Sequence, residues 1–150
     1  MQIRFATPGD YAQWRPLWDG YNRFYGRFDA TALPEKMTAL TWARFHDAAE
    51  PMHALVAEKD GRLVGLVHYL FHRSTILEND TCYLQDLFTD GAARGGGVGR
   101  ALIEAVYEQA RKCGSQRVYW VTQETNAVAM VLYNKIAERT GFLVYRKQPL

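Results

Sequence analysis

The sequence predicts a mixed α/β (α+β) fold, with a mostly antiparallel central sheet flanked by helices, in the order β-α-α-β-β-β-α-β-α-β. Three observations lead to this prediction. The N-terminal half has a hairpin signal, Asp60-Gly61, between two apolar runs. The C-terminal half alternates strand-like runs with helical ones, which is typical of a βαβ unit. Between the halves, a glycine-rich segment lies where a strand is followed by an amphipathic helix.

Local patterns predict each element in turn. A first strand, Gln2 to Ala6, is followed by Thr7-Pro8-Gly9-Asp10, which are typical residues of an N-cap and first helical turn. The first helix carries large side chains at spacings of three and four, namely Tyr11, Trp14, Leu17, Trp18, Tyr21 and Tyr25. Next come a helix from Pro34 to Asp47 and strands Met52 to Lys59, Leu63 to Phe71 and one ending at Thr89. The last elements are a helix over 98–113, a strand from Arg117 to Thr122, a helix capped by Asn126 and reaching Arg139, and a strand near Phe142 to Arg146.

Composition limits the classes of protein that fit. A chain of 150 residues predicts one domain, 1–150. The net charge is +2 with scattered basic residues, which does not favour nucleic-acid binding, and no apolar run approaches the ~20 residues of a membrane span. Cys82 and Cys113 fit neither a metal site nor a disulfide framework, so we expect a reduced, cytoplasmic protein without a metal.

The segment from Arg94 to Arg100 carries most of the functional information. Glycines at 95, 96, 97 and 99 leave a bare backbone at the start of the predicted helix. Free N–H groups and the helix dipole make such a point suitable for a phosphate. A P-loop does not fit because Arg100-Ala101, rather than lysine and a hydroxyl residue, follows the last glycine. A dinucleotide fingerprint fits poorly because its third glycine position is occupied by Arg100.

The pattern that fits is glutamine or arginine, then glycine three positions later, then glycine or alanine two positions further on. Arg94, Gly97 and Gly99 satisfy it. With Asn126 and Tyr133 downstream, the chain resembles the GNAT superfamily of N-acetyltransferases, nearest to the small-amine (polyamine and amino-acid) acetyltransferases. The resemblance is most specific from Tyr83 to Arg146. The element order of the N-terminal half agrees with the family's architecture, at lower specificity.

The resemblance implies direct acetyl transfer from acetyl-CoA to a primary amine in a ternary complex, by a homodimer that needs no metal. The residues that it assigns to acetyl-CoA are Arg94, Gly95, Gly96, Gly97, Val98, Gly99 and Arg100 for the diphosphate, the main chain of Leu87, Phe88 and Thr89 for the pantetheine arm, and Asn126. The strand from Arg117 is expected to separate from the preceding one, leaving a cleft. Arg94 and Arg100 are equally typical of solvated helix-end residues, and Asn126 could also cap its helix.

Forming an amide from a thioester needs a neutral amine, a stabilised oxyanion and a proton for the leaving thiolate. By resemblance Tyr133 is the acid, although a buried structural tyrosine is the alternative. The base is less clear, because Gln85 stands where similar proteins often have glutamate, and an amide cannot accept a proton. Asp86 remains as a candidate that could take the proton through water or bind a cationic substrate. The alternative is that Asp86 is a structural hydrogen-bond acceptor. His68 and His72 are interpreted as structural.

The acceptor is expected to be a small-molecule primary amine, contacting Tyr25 and Gln85. Aromatic rings beside a carboxylate suit a cationic amine, although core packing explains most of the first helix's aromatic stripe. A protein lysine or N-terminus is the second hypothesis. A non-catalytic acyl-CoA sensor is a third, which the presence of Tyr133 disfavours.

Overall fold

Five strands and four α-helices form the fold of residues 1–149, which are those that the computed structural model describes. The strands are β1 (Gln2–Phe5), β2 (Met52–Lys59), β3 (Arg62–His72), β4 (Thr81–Thr89) and β5 (Val118–Tyr119). The helices are α1 (Tyr11–Phe24), α2 (Glu35–Arg44), α3 (Val98–Lys112) and α4 (Ala127–Ile136). Short 3-10 turns lie at Pro8–Asp10, Asp29–Thr31 and Gly91–Ala93.

The sheet has the order β1-β2-β3-β4-β5 and is mostly antiparallel, which confirms the predicted fold class. Only β5 runs parallel to its neighbour, β4. Their pairing is limited to Cys82 with Val118 and Tyr83 with Tyr119. From Leu84 to Thr89, β4 therefore has no neighbouring strand on this side among residues 1–149, and its main-chain groups on that edge are left open.

Each face of the sheet is covered by helices. On one face, α1 buries Trp14, Leu17, Trp18 and Tyr21 against Val56 and Leu66. On the other face, α3 buries Leu102, Ile103 and Val106 against Leu55, Val67 and Leu84. Gly20 lets α1 approach closely, since an added Cβ there would lie 2.7 Å from the Phe88 ring. This contact holds the aromatic stripe of α1 directly over the second half of β4.

The turn that leads into α1 is held by Asp10. Its carboxylate accepts hydrogen bonds from the Thr7 N–H (2.7 Å) and hydroxyl (2.9 Å). It also forms an ion pair with Arg4 at 2.7 Å, and hydrogen bonds from Arg4 hold the pKa of this carboxyl well below its usual range. Thr7 lies at the predicted N-cap, but the capping bonds are made by the Asp10 side chain rather than by Thr7.

Three predictions for the C-terminal region are wrong. The strand predicted from Arg117 to Thr122 contains only Val118–Tyr119, and the last helix ends at Ile136 rather than Arg139. The strand predicted near Phe142 to Arg146 is absent from the described residues. A strand needs hydrogen bonds from a neighbour, and the two paired residues of β5 offer this segment little edge. The second helix is also shorter than predicted, at Glu35–Arg44.

None of the helices described over 1–149 is both long and apolar enough to cross a lipid bilayer.

Candidate active site

A β-bulge in β4 determines which of its side chains face α1. His68 is opposite Asp86, whereas the next residue of β3, Tyr69, is opposite Leu84. Gln85 is therefore the extra residue in β4, and it is exposed. The extra residue reverses the alternation along the strand. Asp86 consequently lies on the α1 face, although Leu84 packs on the α3 face.

Asp86 is buried and is held by His68. The two side chains are joined by a hydrogen bond of 3.0 Å between Nδ1 of His68 and Oδ2 of Asp86. The indole N–H of Trp14 donates to Nε2 of His68 at 3.0 Å. Because Nε2 accepts, the ring hydrogen is on Nδ1, and His68 donates it to Asp86 as a neutral imidazole. Trp14 and His68 together fix the orientation of the Asp86 carboxylate.

Three tyrosine side chains lie near Asp86. Burial, followed by the charge of Asp86, raises the pKa of Tyr21 well above its usual value. Burial and then the Asp86 charge also raise the pKa of Tyr25 and Tyr83. These phenols therefore stay protonated at neutral pH and are available as hydrogen-bond donors in this region.

Tyr133 on α4 reaches the same region. Its ring packs edge-on against Trp120, with centroids 5.3 Å apart. Burial, followed by the proximity of Tyr25, raises the pKa of Tyr133 to about 12. The Tyr133 phenol therefore keeps its proton at neutral pH. Tyr25 is near both predicted catalytic residues, since it affects the pKa of Tyr133 and its own pKa is affected by Asp86.

The glycine-rich loop ends at the N-terminus of α3. Gly95 and Gly97 have φ values of +76° and +78°, and a Cβ at either position would meet nothing within 4 Å. Within residues 1–149, no backbone N–H from Gly95 to Arg100 donates a hydrogen bond; the first bond of the helix runs from Ala101 to Gly97. The loop therefore offers a cradle of unused N–H groups that side chains would fill, which is a suitable site for a diphosphate.

The loop lies next to the open edge of β4. A Cβ at Gly99 would lie 3.7 Å from Oγ1 of Thr89. Of the residues predicted to bind acetyl-CoA through the main chain, Leu87 packs on the α3 face and Phe88 on the α1 face. The structure thus brings Leu87, Phe88, Thr89 and the loop together along one edge.

The two arginines of the loop differ in their contacts. Nε of Arg94 donates to the Thr89 carbonyl at 3.3 Å, and its guanidinium lies over the Phe88 ring. Arg94 therefore stays at the end of β4. Arg100 instead forms an exposed ion pair with Glu104 one turn along α3, at 2.7 Å. This ion pair engages the side chain of Arg100, whereas the backbone N–H of Arg100 remains in the cradle.

Asn126 occupies the N-cap position of α4 but does not cap the helix. Its side-chain amide donates to the Thr122 hydroxyl at 3.1 Å, so the predicted capping bond is wrong.

Gln85 does not share the buried environment of Asp86, since Gln85 is exposed on the bulge. Of the two predicted substrate residues, only Tyr25 interacts with Asp86.

Sequence reasoning missed the roles of Trp14, Tyr21 and His68 around Asp86. The helical spacing of the two aromatic residues marked them as core, and they are buried. The only signal for His68 was its place on a strand, which does not reveal the residue opposite. No group of three or more His, Cys, Asp or Glu side chains that could hold a metal occurs among the described residues.

Comparison with known proteins identifies the family to which this chain belongs. The model of the acetyltransferase (GNAT) family matches residues 14–137, so the chain belongs to this family and is an N-acetyltransferase, as the sequence predicts. It is 34% identical over 147 residues to the D-amino-acid N-acetyltransferase HPA3 of Saccharomyces cerevisiae, covering 97% of this chain and 89% of that protein.

Solved structures have the same fold. A crystal structure of a probable acetyltransferase superimposes with a TM-score of 0.85 at 24% identity, covering 100% of this chain and 98% of the other. The structure of AAC(6')-Iy in complex with a CoA-containing bisubstrate analog superimposes with a TM-score of 0.81 at 16% identity, covering 99% and 98%.

Proposed function

We propose that the protein transfers the acetyl group of acetyl-CoA to the amine of an α-amino acid, directly and in a ternary complex. The observation that carries this proposal is the arrangement at the open edge of β4. A bare N–H cradle lies at one end of this edge, and Asp86 with its ring of tyrosines lies on the same strand. The amino-acid acceptor is suggested by the 34% identical relative, which is a D-amino-acid N-acetyltransferase.

The proposed acetyl-CoA site is the loop and the edge beside it. The N–H groups of Gly95, Gly96, Gly97, Val98, Gly99 and Arg100 would hold the diphosphate. The unpaired main chain of Leu87, Phe88 and Thr89 would hydrogen-bond the pantetheine arm, as an added strand does. Arg94, which contacts Thr89 and Phe88 at the end of β4, and Asn126 at the start of α4 are proposed as further polar contacts. Bound there, acetyl-CoA supplies an activated acyl group, and the protein's own residues orient it and move protons.

Tyr133 and Asp86 are proposed to handle the protons. The attacking amine must be neutral, so one proton has to leave the ammonium form of the acceptor. Asp86, held by the neutral His68, is proposed to accept it directly or through water. Tyr133, whose phenol stays protonated, is proposed to donate its proton to the leaving thiolate. The nitrogen loses its second proton as the amide forms, and this proton restores the Tyr133 phenol directly or through water.

The first test is turnover of acetyl-CoA, followed by release of the free thiol. The acceptors are D- and L-amino acids, polyamines, aminoglycosides and lysine peptides. We expect amino acids to give the highest kcat/KM, because the site offers a carboxylate for the amine and aromatic rings for a side chain. Turnover only with peptides would contradict the small-molecule acceptor. Tight acetyl-CoA binding without turnover of any amine would contradict the enzymatic proposal and favour a sensor.

We further propose that the protein is a homodimer joined through its C-terminal region. Six large apolar side chains there are 60–91% exposed, namely Val128, Val131, Phe142, Leu143, Val144 and Tyr145. Val128 and Val131 lie on one face of α4. Large apolar side chains exposed in this number are typical of an interface. Residues 142–145 also have a composition that favours a strand, although they are not part of the sheet described over 1–149.

We expect light scattering after gel filtration to give twice the 17.2 kDa mass of the chain. The double variant Phe142→Asp/Val144→Asp should give the monomer mass, because it places two charges in the proposed interface. Ile76→Asp is the control, since Ile76 is 80% exposed but lies in the β3–β4 loop. A wild-type monomer, or an unchanged mass in the double variant, would refute this interface. The single-domain organisation over 1–150 and the cytoplasmic location stay predictions.

A further inference from the structure

Arg27 is anchored to a buried residue. Its backbone N–H donates to the Asn22 carbonyl at 2.9 Å, and its Nε donates to the Asn22 side-chain oxygen at 2.7 Å. Asn22 is buried, and its amide nitrogen donates to the Trp18 carbonyl at 2.8 Å. The guanidinium of Arg27 is therefore held in place by the end of α1 rather than moving freely in solvent.

The two terminal nitrogens of Arg27 make no hydrogen bond or ion pair within residues 1–149. Arg15, on the same helix, differs because it contacts Asp19, Glu35 and the Tyr11 hydroxyl. A guanidinium has five N–H donors in a fixed plane, and two parallel ones match a carboxylate. Arg27 thus presents an unused carboxylate-binding edge whose geometry is already fixed.

This edge lies beside the tyrosines that contact Asp86. Cζ of Arg27 is 5.5 Å from the ring centroid of Tyr21 and 5.5 Å from that of Tyr25. The charge of Asp86 raises the pKa of both tyrosines, and the charge of Arg27 opposes it. A fixed cation and a buried anion therefore both lie near the same tyrosine pair.

We propose that Arg27 binds the carboxylate of the amino-acid acceptor and thereby directs its α-amino group to Asp86. This inference rests on the proposed function. An α-amino acid carries both charges on one carbon, and a hydrogen bond of about 2.9 Å at each end lets it span a short gap. Arg27 lies over the rings of Tyr21 and Tyr25, and Asp86 lies near the same two side chains, so both protein charges border one tyrosine pair. A polyamine would instead place a second cation against Arg27.

A second space also touches Arg27, but Asp86 does not line it. It is a cavity of about 240 Å³ between α1 and α2, and its charged lining residues are Arg15, Arg23, Arg27, Asp19 and Asp29. An amino acid bound in this cavity would have its amine away from Asp86. The tyrosine side, which Asp86 also borders, is therefore the side on which the acceptor is expected.

The test compares phenylalanine with phenethylamine, which differ only in the carboxylate, in the wild-type enzyme and in Arg27→Gln. We expect Arg27→Gln to raise KM for phenylalanine about 10- to 100-fold, because a charged hydrogen-bonded pair is lost. KM for phenethylamine and Kd for acetyl-CoA should stay within about twofold. Arg27→Lys should restore part of the loss, because it returns the charge without the planar pair of donors.

Arg23→Gln is the matched control. Arg23 is also an α1 cation lying over an aromatic ring, 5.1 Å from the centroid of Phe28, but it is exposed. Arg23→Gln should change neither the KM for phenylalanine nor the KM for phenethylamine. Equal losses for phenylalanine and phenethylamine in Arg27→Gln, or no loss for either, would overturn the proposed role of Arg27. Wild-type turnover of phenethylamine would still support the acetyltransferase proposal in that case, so the two failures are distinguishable.

Discussion

Gly97→Glu is expected to abolish acetyl-CoA binding and leave a folded protein. Gly97 has a φ of +78°, and its missing Cβ faces open space. A glutamate would place its side chain and a negative charge in the cradle of N–H groups before α3. The diphosphate would meet both a steric block and charge repulsion, and we expect Kd to rise at least about 100-fold, which is about 2.7 kcal/mol. Isothermal titration calorimetry measures this directly.

The controls separate the effect of the site from that of backbone strain. A left-handed non-glycine residue costs about 1–2 kcal/mol, which most domains can tolerate. Gly61 in the β2–β3 turn has a φ of +75° and equally open surroundings. Gly61→Glu therefore adds the same strain and charge elsewhere and should bind acetyl-CoA normally. Gly97→Gln, which lacks the charge, should lie between wild type and Gly97→Glu. Normal binding by Gly97→Glu would remove the loop from the coenzyme site.

The loop could be predicted from sequence because its requirements are local. Glycines at 95 and 97 have the positive φ values that glycine tolerates best, and the apolar spacing after Val98 sets the register of α3. The predicted helix over 98–113 accordingly agrees with the observed Val98–Lys112. The hairpin at Asp60-Gly61 could be predicted for the same reason, because its turn depends on residues that are adjacent in the sequence.

The surroundings of Asp86 could not be predicted, because they depend on register and packing. Simple alternation places Asp86 on the same face as Leu84, and only the bulge at Gln85 moves it to the other face. The bulge then determines that His68 is the opposite residue and that α1 lies above it. Trp14 and Tyr21 were correctly assigned to the core, but their polar atoms have functional neighbours that helical spacing cannot show.

The C-terminal strand is a different kind of error. Its composition favours a strand, but a strand exists only beside a neighbour, and sequence does not say which neighbour or from which chain. In residues 1–149 the run 142–145 is exposed and unpaired. A composition that favours a strand therefore does not by itself decide whether a strand forms. This is why the same residues enter the dimer proposal.

Tyr133→Phe is expected to lower kcat about 100-fold or more while leaving Kd for acetyl-CoA within about twofold. The substitution removes only the hydroxyl, so the edge-on contact with Trp120 at 5.3 Å is kept. Because burial raises the pKa of Tyr133 to about 12, the phenol keeps its proton at neutral pH and has it available for the sulfur as the thiolate leaves. Steady-state kinetics and a binding titration measure the two effects separately.

Tyr107→Phe tests whether the loss in Tyr133→Phe reflects chemistry or packing. Tyr107 on α3 is also a partly buried tyrosine with a raised pKa, but its hydroxyl donates to the Ile136 carbonyl at 3.1 Å, at the end of α4. Removing it should lower the melting temperature and leave kcat nearly unchanged. If Tyr133→Phe instead loses coenzyme affinity and turnover equally, or loses stability as Tyr107→Phe does, Tyr133 supports the site without donating the proton. If Tyr133→Phe lowers kcat but not coenzyme affinity or stability, the result supports proton donation by the Tyr133 hydroxyl.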